Sequence, residues 1–147
     1  MTAPETEGPR ARHVLRTRAA VVAAVALGGG AGAVARYAAS LGWPAPAHGF
    51  PWTNLWVNVS GCAAIGVFMV IITGSGAVHP LVRPFFGTGV LGGFTTFSTY
   101  AVDLHGLFGE GEAGAGLVYL AVTPLAALAA VWSAASVTRR VLTRRRP

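Results

Sequence analysis

The chain has no lysine, a single cysteine and only five acidic residues among 147. Each shortage excludes something. Charged residues make up 11% of the sequence, far below the roughly 25% of an ordinary soluble domain. So few charges cannot cover a water-facing surface. A lone cysteine, Cys62, rules out an intrachain disulfide and reads as a small packing residue. The missing charge is also clustered. No Asp, Glu, Lys or Arg occurs between Arg36 and Arg83, over 84–102, or over 113–138.

The materials of catalysis are missing as well. The uncharged stretches contain no acidic pair. His13, His48, His79 and His105 fall in tails, loops or span ends, and no metal-ligand spacing appears. Ser60 and Ser98 have no evident histidine partner for nucleophilic work. The sequence does not read as an enzyme.

Long apolar runs are what the chain does have. Hydrophobic residues make up 53% of it. Crossing a hydrocarbon core of about 30 Å takes roughly 20 such residues in a helix. The sequence predicts an all-α integral membrane protein with four spans, at about 19–41, 52–73, 84–107 and 116–137. A basic N-terminal tail over 1–18, read as disordered, precedes the membrane domain at 19–138, and a basic tail over 139–147 follows it. Trp43 and Trp52 flank the first loop and suit a membrane interface.

Every basic side chain is an arginine, and ten of the eleven fall on one side of a four-span arrangement. These are the arginines of the two tails and Arg83. Arg36 stands on the other side with Asp103, Glu110 and Glu112. By the positive-inside rule both termini are expected in the cytoplasm, in the cell membrane of a prokaryote. Tail arginines of this kind suit anionic headgroups, and no interleaving of exposed aromatics points to nucleic acid.

Small residues recur at helical spacing, with Gly28 four before Gly32 and Gly89 four before Gly93. That spacing lets backbones approach closely. Four thin helices enclose little interior of their own, so a pathway between two copies is expected, and hence a dimer.

The most informative stretch is Gly92-Gly93-Phe94-Thr95-Thr96-Phe97-Ser98-Thr99-Tyr100. Glycines, hydroxyl residues and aromatics are poor material for an undisturbed helix. Broken backbone at membrane depth survives only where protein buries it or a polar cavity adjoins it. The third span is therefore expected to break here and to mark an ion pathway. Phe97 and Tyr100, three apart, share a face, and the positive edges of their rings favour an anion. Asn54 and Asn58 share a face of the second span. Asn58, about two turns inside it, either donates to an anion or bonds a neighbouring helix; spacing alone does not separate these. Arg36 snorkels outward, braces backbone carbonyls or draws anions to a vestibule. Tyr119 and Thr123 offer a hydroxyl track on the fourth span, beside Pro124.

Three motifs in order resemble the Fluc, or CrcB-type, fluoride channels over about 19–137. They are Gly28-Gly29-x-x-Gly32-Ala33-x-x-Arg36-Tyr37, Thr53-x-Leu55-x-Val57-Asn58-x-x-Gly61, and Gly92-Gly93-x-Thr95-Thr96-Phe97-Ser98-Thr99-Tyr100. The resemblance implies an antiparallel, dual-topology-type dimer with two pores that lets cytoplasmic fluoride leave passively and so reduces its toxicity. It implies a structural sodium ion at the dimer interface, held by the backbone carbonyls of Gly92 and Thr95. It places Asn58, Phe97, Ser98, Thr99 and Tyr100 along the fluoride path. It makes Asp103 a vestibule acid, where the family usually has glutamate, and matches Arg36 to the family's arginine of the first span. At position 100 the family usually has phenylalanine, and this chain has tyrosine.

The arginine bias adds an expectation. A homodimer with chains inserted both ways favours balanced arginines, so this chain is expected to hold one orientation and pair with an oppositely oriented homologue. Two alternatives stand beside a conducting subunit. One is a non-conducting structural partner in a heterodimeric channel. The other, a small multidrug exporter, requires a membrane-buried acid that the first span lacks.

Overall fold

The structure is a computed structural model and describes residues 9–44, 49–76 and 78–144. Every regular element in it is helical. α1 covers Pro9–Gly42 and α2 covers Trp52–Gly74. A π-helical segment, Arg83–Leu91, runs into the single turn α3, Gly92–Phe94. After a break come α4, Ser98–Gly109, and α5, Ala113–Arg144. Among the described residues, three stretches are long and apolar enough to cross a membrane: His13–Gly42, Trp52–Gly74 and Ala113–Arg144.

The third expected span is not one helix. Thr95 turns to an extended conformation, with φ −77° and ψ 155°, and helical winding resumes only at Ser98. The break lies inside the stretch whose residues disfavour a helix. The π winding before it is unforeseen by sequence. Nine residues of it lead into α3, one turn before the break, in keeping with the habit of such turns to appear near functional sites.

The tail expected to be disordered over 1–18 is helical from Pro9 onward, so that expectation is corrected for 9–18; residues 1–8 lie outside the described residues. Alanine, leucine and arginine are good helix formers, and extending an existing helix is far easier than starting one. α5 likewise continues past 137, to Arg144.

Packing pairs α1 with the π-helical segment and α3, and pairs α2 with α5. The glycine spacing is what lets the first pair meet. A Cβ on Gly89 would lie 2.9 Å from Gly28 Cα, and one on Gly93 would run into the Gly29 backbone. In the second pair a Cβ on Gly66 would lie 2.5 Å from the Val131 carbonyl oxygen. α4 and α5 are joined by a Schellman turn. Gly111 takes φ +80°, the Glu112 N–H donates to Leu107 O at 2.9 Å, and the Gly111 N–H donates to Phe108 O at 3.2 Å.

Candidate functional site

The break leaves backbone groups without helical partners at Thr95–Phe97, and one side chain takes up much of the deficit. Asn58 on α2 donates from Nδ2 to Thr96 O at 3.0 Å, and its Oδ1 accepts from the Thr96 N–H at 2.8 Å. Of the two readings of Asn58, the structure displays the bond to a neighbouring segment. Its amide keeps a second N–H. Thr96 then caps α4. Its Oγ1 accepts from the Thr99 N–H at 3.2 Å and lies 3.1 Å and 3.2 Å from the hydroxyls of Thr99 and Ser98.

Two helix ends face each other across this break. The carbonyl end of α3 is the negative pole, and the amide end of α4 is the positive one. Among the described residues, no backbone N–H across the break donates to the carbonyls of Gly92 or Thr95. Arg36 on α1 reaches in to donate from Nε to Gly93 O at 3.3 Å. Of its three readings, the structure displays the brace.

A cavity of about 600 Å³ opens beside the break. Asn58, Phe97, Tyr100 and Thr123 line it, together with Gly92 and Thr95. The Thr123 hydroxyl is the notable member. It is buried, and among the described residues its oxygen makes no hydrogen bond of good geometry, with the Tyr119 hydroxyl lying beside it. Tyr119, one turn earlier on the same face, has its own hydroxyl committed elsewhere. A buried hydroxyl without a partner is costly, and this one belongs to a residue that lines the cavity while the oxygen itself is covered.

A second cavity, of about 310 Å³, is lined by Arg36, Asn54, Thr99 and Asp103 among others. Behind it lies a network that the sequence did not reveal. Asn54 Nδ2 donates to Asp103 Oδ2 at 2.9 Å and to the Tyr119 hydroxyl at 3.1 Å, and Tyr119 donates to the same Asp103 oxygen at 3.0 Å. Asn54 was legible only as a polar residue one turn before Asn58. Asn54→Ala is expected to remove the hydrogen bonds to Asp103 and Tyr119, leaving only the bond between those two, and to cost about 1–3 kcal/mol. Thermal unfolding in detergent reads this, and an unchanged melting temperature would refute the network.

The expected residues thus divide. Asn58, Phe97, Tyr100 and Thr123 share the larger cavity, while Arg36, Thr99 and Asp103 share the smaller. Ser98 is exposed at the start of α4. Tyr119 is fully buried and lies within an aromatic ladder running Trp52, Phe50, Tyr119, Tyr100, Phe97, whose successive ring centroids are 4.6, 5.3, 5.2 and 5.6 Å apart. Cys62, read from the sequence as a packing residue, also lines the larger cavity, with Leu120 and Pro124, which the sequence did not assign to a pathway.

Comparisons with known proteins accord with this arrangement. The chain is 64% identical to "Fluoride-specific ion channel FluC 1" of Streptomyces coelicolor, covering 97% of each chain. It is 64% identical to "Fluoride-specific ion channel FluC 2" of Streptomyces avermitilis, over 93% of this chain and 87% of that one. "Fluoride-specific ion channel FluC 3" of the same organism is 41% identical, over 88% of this chain and 64% of that one. Residues 23–135 match the family described as "CrcB-like protein, Camphor Resistance (CrcB)". That match takes in α2, the break and the polar residues gathered around it, so the chain belongs to the CrcB-like family.

Proposed function

We propose that this chain is a fluoride channel subunit that lets cytoplasmic fluoride leave passively across the cell membrane. The observation that carries the reading is the larger cavity. It gathers the spare N–H of Asn58 and the rings of Phe97 and Tyr100 at the positive end of α4, with the Thr123 hydroxyl covered just behind its wall. All are neutral groups that offer positive edges or hydrogens. A small, strongly hydrated anion needs such donors to replace its water, and a fixed cation would hold it too tightly to let it go. The names of the relatives support fluoride as that anion.

The working unit is a dimer of oppositely oriented chains with two pores. Phe97 is 79% exposed in the single chain, and Gly92 and Ser98 beside it are exposed as well. Broken backbone cannot face lipid, and a second copy or homologue would cover it. The broken segment acts as the middle of a third crossing, which makes four spans with both termini cytoplasmic. The Gly92 and Thr95 carbonyls fit a hard cation such as sodium, which takes oxygen ligands. They are freed by the break and lie at the negative end of α3. Bound there, the ion would supply fixed positive charge between the two subunits. Arg36 holds the neighbouring Gly93 carbonyl and keeps the others free to turn toward it.

The arginine bias favours a partner of opposite orientation over a homodimer. Two relatives, FluC 2 and FluC 3, occur together in Streptomyces avermitilis, which supports the presence of such a second chain. The test is fluoride efflux from liposomes, read by electrode, with this chain alone and with a co-expressed homologue of reversed arginine bias. Efflux is expected only from the pair. Robust efflux from the chain alone would overturn the heterodimer and keep the channel. No efflux in either case would overturn the channel.

A further inference from the structure

Pro124 lies inside α5 and has no backbone N–H. The carbonyl one turn before it, that of Leu120, thereby loses its helical donor. It is not left bare. The Tyr100 hydroxyl donates to Leu120 O at 2.8 Å, across from the broken span. Tyr100, Leu120 and Pro124 all line the larger cavity together with Asn58 and Thr123.

We propose that the Tyr100 hydroxyl masks the proline-freed Leu120 carbonyl and so keeps its negative end from facing the anion in that cavity. The inference rests on the anion reading given above. An unengaged carbonyl in a dry site is a strong local acceptor. Beside an anion path it repels the anion and recruits water in its place. An engaged carbonyl does neither. The same bond fixes the ring. Tyr100 is buried, with Phe97 at 5.6 Å and Tyr119 at 5.2 Å between ring centroids, and the hydroxyl adds an anchor on α5. Tyrosine at position 100, where the family resemblance led to phenylalanine, is then a match to Pro124, and no obstruction. Tyr100 is a positioning residue in this account, and its role depends on what stands at 124.

That dependence makes the test. Tyr100→Phe keeps the ring and removes only the hydroxyl. Pro124→Ala restores an N–H that can take the Leu120 carbonyl. Fluoride efflux is measured in liposomes for wild type, each single variant and the double variant, with whichever subunit the wild type requires. With Pro124 present, Tyr100→Phe is expected to slow efflux about tenfold. In the Pro124→Ala background the same substitution is expected to change efflux by less than about threefold. Equal slowing in both backgrounds, or none with Pro124 present, would overturn the masking role. Melting temperatures of the same four proteins separate folding from conduction: the loss from Tyr100→Phe should shrink in the Pro124→Ala background, and additive losses count against the pairing. A conducting wild type with unrescued slowing removes this inference alone, whereas a wild type that never conducts removes the anion reading and the inference together.

Discussion

Asn58→Asp is expected to stop fluoride efflux almost completely while the folded protein survives. The substitution keeps an oxygen to accept from the Thr96 N–H and loses the amide that donates to Thr96 O. Half of the clamp on the break therefore remains. The larger change is electrostatic. A carboxylate would stand where a neutral donor now borders the cavity. A unit negative charge about 4 Å from a passing anion costs it about 4 kcal/mol at an effective dielectric of about 20. Such a barrier slows passage about a thousandfold. The measurement is liposome efflux, with gel filtration to show that the assembly still forms. Efflux near the wild-type rate from the intact assembly would remove Asn58 from the pathway.

The second large effect belongs to the helix contact that carries the broken span. Gly32→Ala would place a Cβ 2.8 Å from Phe94 N and 2.9 Å from the Val90 carbonyl carbon, with Val90 O nearer still. These are backbone atoms, which cannot swing aside as a flexible side-chain tip does. Moving α1 away would also loosen the Gly28–Gly89 and Gly29–Gly93 contacts and draw Arg36 off the Gly93 carbonyl. A cost at or above the usual overpacking range of about 1–3 kcal/mol is expected. Gly30→Ala is the control, because nothing lies within 4 Å of its added Cβ. It should leave stability unchanged or slightly raised, since alanine is the better helix former by about 1 kcal/mol. Thermal unfolding of both variants in detergent decides it. Equal melting temperatures for Gly32→Ala and Gly30→Ala would show that α1 does not pack as described.

Both predictions concern the break from opposite sides. α2 clamps it through Asn58, and α1 supports it through glycine contacts and Arg36. Its backbone is held open by side chains of other helices, which keeps two helix poles facing each other and leaves the Gly92 and Thr95 carbonyls without a backbone donor across the break. The conformation is specified by its neighbours as much as by its own residues.

The sequence by itself determined the class of molecule and the place of the irregularity. Uncharged runs separated by loops report membrane helices because length and hydropathy are local properties. The glycine spacings predicted close contacts that the structure displays between α1 and the segment Arg83–Phe94. The break fell where glycine, hydroxyl and aromatic residues crowd together, because helix propensity is also local. The pairing of polar groups was decided only by the tertiary structure. Asn58 finds Thr96 at a separation of 38 residues, Asn54 finds Asp103 at 49, and Asn54 meets Tyr119 at 65. Which of two asparagines clamps the break and which holds the acid depends on how α2 is turned against α4 and α5, and no local pattern carries that rotation. The same holds for Tyr100. Its phenol departed from the expected phenylalanine, and Pro124 stood only as a neighbour of the hydroxyl track on the fourth span. Folding α4 against α5 makes them complements: the proline lacks a donor, the tyrosine has one to give, and the Leu120 carbonyl lies between them.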